Sequence, residues 1–215
     1  MELTYGRYLK VEELLQLQQP LSEGPEHDEI LFIIIHQVYE LWFKQIIHEL
    51  DSVLMMFSKV SISESDVSLS VTRLDRIIEI QKILIDQVRI LETMTAMDFL
   101  EFRDHLFPSS GFQSSQFRKL ENKLGLKKTD RINYGGKDYK LSLNKDEKDA
   151  VEKSEKEYSL FQLLETWLER TPFLQFEGFD FWDQYSVAVR SLLKNEKSVI
   201  KNNPNYSCFI NQAMQ

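Results

Sequence analysis

Cysteine, proline and glycine are scarce in this 215-residue sequence, which contains one, five and seven of them respectively. The lone cysteine, Cys208, excludes an internal disulfide and a cysteine cluster for a metal ion. Residues that interrupt helices are few, strand-like alternation is nearly absent, and apolar residues recur three or four positions apart. This pattern is typical of long helices, so we predict an all-α fold built as a helical bundle.

Basic residues are also in deficit, with 26 Lys and Arg against 34 Asp and Glu and a net charge of −8. Contacts to a phosphate backbone need a surplus of positive charge, which excludes nucleic acid as the main partner. A small molecule or a protein is the expected partner instead.

Long apolar runs are missing from the sequence as well. No stretch approaches the roughly 18 apolar residues of a membrane span, and the chain opens on Met-Glu-Leu-Thr instead of a basic, apolar leader. We therefore expect no membrane partner and a cytoplasmic location. The hydrophobic share of 42%, with 14 Phe, 8 Tyr and 3 Trp, is that of a globular protein. The length suits a single helical domain over residues 1–215.

The most strongly patterned segment begins after Pro25 and is predicted to be helical to about Ser58. Asp28 and Glu29 lie in its first turn, where the helix dipole favours negative charge. Two apolar stripes run along this helix and predict burial on most sides. The first stripe is Ile30, Ile34, Val38, Leu41 and Gln45, and the second is Phe32, His36, Tyr39 and Phe43.

A second long helix is predicted from Val67 to Leu91 and has the pattern of an ordinary bundle helix. Its charged positions are expected to face water, and its apolar positions are expected in the core. The solvent-facing set is Arg73, Glu79, Lys82 and Asp86, and the core set is Val67, Val71, Leu74, Ile78, Gln81, Ile85 and Val88.

Two shorter helices follow in the pattern. Thr95, with Asp98 three residues later, predicts the N-cap of a helix that runs through Leu106. Gly125 predicts the end of another helix that begins at about Gln113.

The rest of the chain is more polar. Residues 127–144 predict a loop, with a small hairpin at Tyr134, Tyr139 and Leu141 as the alternative. The mixed charges of 145–157 predict a solvated helix face that grades into the apolar stripe of a helix ended by Thr171 and Pro172. An aromatic loop then leads to a last helix over about 182–200.

The sequence contains four histidines, and His36 has the most suggestive surroundings, between Phe32 and Tyr39. Its imidazole either faces an aromatic cavity or is a core histidine hydrogen-bonded to a nearby partner, as buried polar groups normally are. His27 and His48 are expected at the surface or as caps. No pair of histidines has the spacing of a metalloprotease helix, which makes a non-haem metal site improbable.

Arg103 shares a helix face with Phe99, so its guanidinium could meet a ligand carboxylate above an aromatic wall. The alternative is a salt bridge to Glu101 or Asp104. The hydroxyls of the Pro108–Ser114 break could receive an anion or cap a turn. No glycine-rich phosphate loop, Gly-x-Ser-x-Gly elbow or cysteine nucleophile is present.

Three motifs carry a resemblance to a known family. They are LTYGRYL at Leu3–Leu9, HDEILFIIIHQVYELWFK at His27–Lys44 and FRDHLFPSSGFQS at Phe102–Ser114. In this order they resemble tryptophan 2,3-dioxygenases. A fourth stretch, ETWLERTP followed by GFDFW within residues 165–182, is similar to the animal-type members of that family.

This resemblance implies an all-helical, haem-b-dependent homotetramer that inserts both atoms of O2 into L-tryptophan and yields N-formyl-L-kynurenine, the first step of the kynurenine pathway. It implies that His36 is the catalytic, distal histidine beside the indole nitrogen and that Phe32 packs against the indole. Ile33, Ile34 and Ile35 lie between these two residues and belong to the same expected substrate-binding set.

Further positions match the motifs of that family. Arg103 matches the arginine that binds the substrate carboxylate, and Phe99 matches an aromatic wall residue that is tyrosine in some members. Tyr5, Tyr8 and Leu9 match a segment that reaches the pocket of a neighbouring subunit.

The resemblance also implies a proximal histidine in a later helix and a Gly-Thr-Gly-Gly-Ser loop, and neither motif occurs in these 215 residues. We therefore expect the N-terminal part of such a subunit, without the C-terminal helices and without a metal ligand of its own. The alternative is an inactive fragment, or a non-enzymatic helical module that binds an indole-like ligand or a related subunit.

Overall fold

The computed structural model describes residues 3–24, 26–131, 139–170, 175–176 and 179–202. The chain divides into two compact units, Met1–Thr166 and Trp167–Gln215. A single domain over residues 1–215 stays a prediction beside this division.

Helices dominate the described part of the chain, which confirms the all-α prediction. Two two-residue strands, β1 (Gln175–Phe176) and β2 (Phe179–Asp180), form a small antiparallel pair. The helices are α1 (Tyr5–Leu9), α2 (Val11–Leu14), α3 (His27–Phe57), α4 (Glu64–Leu91), α5 (Ala96–Arg103), α6 (Ser115–Leu124), α7 (Lys145–Ser154), α8 (Leu160–Arg170) and α9 (Phe181–Asn202).

Helix α3 is the centre of the first unit and packs against α4, α5 and α6. With 31 residues it is about 46 Å long at 1.5 Å per residue. Its C-terminal half supplies most of its buried side chains, and α4 covers them. The shared core includes Ile46, Leu50, Val53, Met56 and Phe57 of α3 with Ile77, Ile80 and Leu84 of α4.

A buried carboxylate joins α3 to α4. Glu49 is 5% exposed, and its Oε1 accepts from Nη1 of Arg76 at 2.6 Å and from Nε2 of Gln45 at 2.8 Å. Its Oε2 lies 3.8 Å from Nε of Arg73. Arg73 therefore turns towards α3 and not towards water, because a buried carboxylate needs a charged partner.

The predicted core face of α4 was wrong. Val71, Ile78 and Ile85 are 52%, 47% and 72% exposed, whereas Ser70, Ile77, Ile80 and Leu84 are buried. Both stripes have apolar residues at helical spacing. The stripe that packs against α3 is offset by one residue from the predicted stripe, which is a rotation of about 100° about the helix axis. Glu79, Lys82 and Asp86 face solvent as predicted.

Burial of α3 on most sides was also wrong for the described structure, because Ile30, Ile34 and Leu41 are 38%, 42% and 52% exposed. By length and composition this helix could cross a membrane, contrary to the expectation from sequence. Its contacts with α4, α5 and α6, and the buried charge of Glu49, give its apolar residues a role as the core of a helical bundle.

The predicted caps are confirmed. Thr95 and Asp98 form a reciprocal capping box at the start of α5, and residues 104–106 continue as a 3₁₀ turn. Gly125 ends α6 with φ of 97°, and a Cβ there would lie 2.8 Å from Cβ of Phe161. Glycine is required at this position by both conformation and space.

The polar loop contains 3₁₀ turns at Lys128–Asp130 and Tyr139–Ser142. Tyr139 lies in a turn and not in a strand, while Tyr134 lies outside the described residues. The Tyr139 hydroxyl donates to Glu155 at 2.9 Å, and burial, followed by the contact with Glu155, raises its pKa to about 12. The loop is thus attached to the end of α7.

The single helix expected from Lys145 to Thr171 is two helices, α7 and α8. Ser159 caps the start of α8, where its Oγ accepts from the backbone nitrogen of Gln162 at 3.3 Å and its own nitrogen donates to the side chain of Gln162 at 2.9 Å. This reciprocal pair begins a new helix.

In the second unit, α9 confirms the last predicted helix. Its first turn is capped by Asp180, which accepts from the nitrogen of Asp183 at 3.1 Å. The ring of Phe181 stacks on Tyr185 at 5.8 Å and meets Trp182 edge-on at 5.3 Å.

The Glu49 pairing yields a stability prediction. Glu49→Gln keeps the shape of the side chain and removes its charge, so the free energy of unfolding should fall by about 1–3 kcal/mol. Urea unfolding followed by circular dichroism measures this loss. The matched control is Glu79→Gln, an exposed glutamate paired with Lys82 at 2.7 Å, which should change stability by less than about 0.5 kcal/mol. Equal losses in both variants would contradict the role of Glu49.

Candidate functional site

An aromatic cluster lies where α5 crosses the N-terminal half of α3. The ring of Phe32 lies 4.1 Å from His36, 5.7 Å from Phe99 and 5.6 Å from Phe102, between ring centroids. Phe99 and Phe102 meet edge-on at 5.4 Å. Phe102 is fully buried, whereas Phe32, His36 and Phe99 are half-buried. The cluster therefore has a rigid base and a half-buried rim.

The imidazole of His36 is held by its own helix. Its Nδ1 lies 2.7 Å from the carbonyl oxygen of Phe32. A carbonyl oxygen can only accept, so Nδ1 carries the proton and, in the neutral ring, Nε2 is an acceptor. The histidine has the backbone partner expected of a core residue, and it still offers one nitrogen lone pair from the half-buried rim.

The guanidinium of Arg103 lies over the same cluster, with Cζ 5.4 Å from the centroid of Phe99. Among the described residues it forms no ion pair with Glu101 or Asp104, the alternative that sequence left open. Glu101 interacts with Glu26 instead. A hydrogen bond between the two carboxyl groups, and then the charge of Glu26, raise the pKa of Glu101. Arg103 is exposed and stands on an aromatic face, which leaves its donors available to a ligand.

These groups define a recognisable ligand chemistry. Phe32 and Phe99 offer flat faces for a ring, Nε2 of His36 accepts from an N–H group, and Arg103 matches a carboxylate with two parallel donors. A flat heterocycle that bears an N–H and a carboxylate would use all of them.

The three isoleucines between Phe32 and His36 point in different directions, because consecutive helical residues are about 100° apart. Ile35 is 3% exposed and belongs to the core, while Ile34 is 42% exposed. Ile33 is half-buried. Their role in substrate binding stays a prediction.

Helix α1 carries the remaining predicted site residues. Tyr5, Tyr8 and Leu9 are 78%, 72% and 45% exposed. An open cleft of about 580 Å³ lies beside them on α1 and α2, lined by charges of both signs that include Arg7 and Glu12. The contact of this segment with a neighbouring subunit stays a prediction.

The serines of the Pro108–Ser114 break act as caps. Oγ of Ser114 accepts from the nitrogen of Phe117 at 3.1 Å and caps α6. Oγ of Ser109 donates to the carbonyl oxygen of Leu106 in the preceding turn. The structure therefore supports capping of a turn, and not binding of an anion, as the role of these hydroxyls.

Two neighbours of the site were not identified from sequence. Phe102 lies three residues after Phe99, one turn away on the same face, and this spacing could have identified it. Glu29 was considered only for the helix dipole, yet it is completely buried.

The described residues do not fit a haem group as its axial ligand. Burial is one of the means by which a protein controls haem iron, and His27, His48 and His105 are exposed. Nδ1 of His36 is bonded within its helix and leaves Nε2 free, but that nitrogen is the acceptor that the candidate ligand site uses. Within the described ranges, no group of three His, Cys, Asp or Glu is placed to hold a metal ion.

Comparison with known proteins identifies the family of this chain. The family model for tryptophan 2,3-dioxygenase matches residues 1–212. The tryptophan 2,3-dioxygenase of Dictyostelium discoideum is 50% identical over 206 residues, which cover 94% of this chain and 52% of the relative. That of Bdellovibrio bacteriovorus is 49% identical over 203 residues, with 93% and 56% covered. That of Xenopus tropicalis is 46% identical over 206 residues, with 94% and 51% covered.

The chain spans about half the length of these curated relatives. The matched part includes all of the cluster around Phe32 and Arg103. Relatives from a slime mould, a bacterium and a frog match it to a similar degree. The resemblance of the three motifs is confirmed, and the chain belongs to the tryptophan 2,3-dioxygenase family.

Proposed function

We propose that this chain is the tryptophan-recognition part of a dioxygenase that opens the indole ring of L-tryptophan with O2 to give N-formyl-L-kynurenine. The observation that carries this proposal is the hydrogen bond from Nδ1 of His36 to Phe32. It leaves an acceptor nitrogen next to the ring of Phe32, which lies 5.7 Å from that of Phe99, in a family named for tryptophan oxidation.

The residues of this chain would bind and orient the substrate. The indole ring packs against Phe32 and Phe99, whose ring centroids lie 5.7 Å apart, and its N–H donates to Nε2 of His36. The substrate carboxylate accepts from Arg103. The buried ring of Phe102 supports the other rings and excludes water from beneath them. Fixing both ends of the substrate removes rotational freedom that the reaction would otherwise have to overcome.

Haem b, a homotetramer and a cytoplasmic location are part of the same proposal, on the strength of the family alone. Because the described histidines do not fit the axial position, no step is assigned to the iron. The alternative, a non-enzymatic helical module that binds an indole-like ligand or a related subunit, would use the same pocket.

Arg103→Leu tests the carboxylate contact. A charge-assisted contact is worth about 1.5–3 kcal/mol, so the variant should bind L-tryptophan roughly 10- to 150-fold more weakly. Its affinity for tryptamine, which has no carboxylate, should change little. Isothermal titration calorimetry with both ligands gives the two ratios.

The control for this experiment is Arg89→Leu, which removes an exposed arginine of α4 that pairs with Asp86. It should leave both affinities unchanged. Equal affinity of wild type and Arg103→Leu for L-tryptophan would contradict the contact between Arg103 and the substrate carboxylate.

His36→Ala tests the acceptor nitrogen with 1-methyl-L-tryptophan, which lacks the indole N–H. Wild type should prefer L-tryptophan by about 2- to 10-fold, the value of one neutral hydrogen bond. The variant should lose this preference, while His48→Ala, an exposed histidine of the same helix, should retain it. A preference for L-tryptophan that remains in His36→Ala would show that a group other than His36 accepts the hydrogen bond from the indole N–H.

The ultraviolet-visible spectrum of the chain, expressed with haem supplied, and an assay for N-formylkynurenine test whether these residues alone carry the reaction. We expect a folded protein that binds tryptophan and forms no N-formylkynurenine, because three of its histidines are exposed and the free nitrogen of the fourth, His36, is assigned to the substrate. A Soret band with tryptophan-dependent product would assign the whole reaction to these residues. Folded protein that binds no tryptophan would overturn the proposed function.

A further inference from the structure

The carboxylate of Glu29 fastens the segment before α3 to that helix. Its Oε1 accepts from the nitrogen of Leu21 at 2.6 Å, and its Oε2 accepts from the nitrogen of Ser22 at 3.1 Å. The Ser22 hydroxyl also donates to Oε2. The side chain is completely buried. Three donors meet one carboxylate, the arrangement that compensates a buried negative charge.

Gln37 forms a second attachment on the same helix. Its Nε2 donates to the carbonyl oxygen of Leu17 at 3.0 Å. Its Oε1 accepts from Nε2 of Gln18 at 2.5 Å, and that amide also donates to the carbonyl oxygen of Leu14 at 3.1 Å. Both functional groups of one side chain are thus used by the segment.

The two attachments hold residues 17–22, which we call the arm, along the turns of α3 that carry the candidate site. Glu29 and Gln37 are eight residues apart, about 12 Å along the helix. The arm crosses this distance in the opposite direction to α3, from Leu17 beside Gln37 to Ser22 beside Glu29. Phe32 and His36 lie between the two attachments in the sequence.

Glu29 also faces the segment that follows Arg103. Burial raises the pKa of its carboxyl group, but the hydrogen bonds from Leu21 and Ser22, and then the charge of His105, lower it further than burial raises it. The group is therefore ionised at neutral pH. His105 is two residues beyond Arg103, in the 3₁₀ turn that follows α5. The carboxylate that fastens the arm to α3 therefore lies near this turn.

We propose that Glu29 and Gln37 are positioning residues, which fasten the arm to α3 and set Phe32 and His36 relative to Arg103. Neither side chain needs to touch the ligand. The inference rests on the proposed function, because it concerns a pocket that must hold an indole ring and a carboxylate at the same time.

The chemistry of Glu29 makes the proposal specific. A glutamine at this position would present an NH2 group to at least one of the donors from Leu21 and Ser22. Two donors would then face each other in a buried place, which costs more than the loss of one bond. Gln37→Ala removes the second attachment without affecting a buried charge.

Two measurements on the full chain test the proposal. Amide hydrogen exchange at Leu21 and Ser22, without ligand, reports whether the arm is fastened. This exchange should accelerate by roughly 10- to 100-fold in Glu29→Gln, because the two amides lose their charge-assisted hydrogen bonds. The ratio of affinities for L-tryptophan and tryptamine reports whether Arg103 is in place. That ratio should fall on the order of 10-fold, because small misplacements of a binding group have large effects.

Gln37→Ala is the second variant, should Glu29→Gln not fold, and should lower the same ratio. The matched controls are Glu13→Gln, an exposed glutamate paired with Lys10 at 2.9 Å, and Gln19→Ala, an exposed glutamine. Both should leave exchange and ratio unchanged.

The outcomes separate this inference from the proposed function. Wild type that does not prefer L-tryptophan over tryptamine would overturn the proposed function and the positioning role with it, while exchange would still decide whether the arm is fastened. A wild-type preference that survives in Glu29→Gln and Gln37→Ala would overturn the positioning role alone. Equal weakening of both ligands would show that the two side chains only stabilise the fold.

Discussion

Packing of α3 against α4 is the constraint on which the other contacts depend. The C-terminal half of α3 is buried against α4, and the pairing of Glu49 with Arg76 joins the two helices. Helix α3 therefore has little freedom to rotate or slide. A helix transmits its orientation along its length, and this one is continuous from His27 to Phe57. The direction in which Phe32 and His36 point therefore also depends on residues that have no part in binding, such as Glu49, which lies about 20–26 Å away along the helix at 1.5 Å per residue.

This arrangement separates stability from recognition along one helix. The N-terminal half of α3 keeps apolar side chains such as Ile34 and Leu41 partly exposed, while the half beyond Ile46 carries the core. Substitutions in the core half would change folding, and substitutions in the other half would change binding.

Much of the fold could be predicted from sequence because local signals agreed with it. The bounds of α3, the Thr95 cap and the Gly125 terminus each have a physical cause within a few residues. The start of α8 also had such a signal, the Ser159 and Gln162 pair, but the charged stretch before it resembled a continuous helix. The face that α4 buries could not be predicted, because Val71 and Ile77 lie on two equally apolar stripes and only the neighbouring helix decides between them.

For the site, the resemblance of the motifs identified Phe32, His36, Phe99 and Arg103, and the structure brings Phe32, His36 and Phe99 into one cluster with Arg103 above it. Their roles stay predictions. The attachments made by Glu29 could not be foreseen, because its partners lie in a segment without helical periodicity. A charged residue in a first turn is usually solvated, and burial of that charge is a tertiary effect.

The bond between His36 and Phe32 lies within one helical turn, so the tautomer of the ring is a local property that does not depend on the rest of the fold. Addition of a proton at Nε2 would leave this bond intact and would convert the free nitrogen from an acceptor into a donor. The same ring would then repel an N–H group and attract a carbonyl or an anion. In this pocket a single proton would reverse the chemical class of ligand that the histidine selects, with no movement of the backbone.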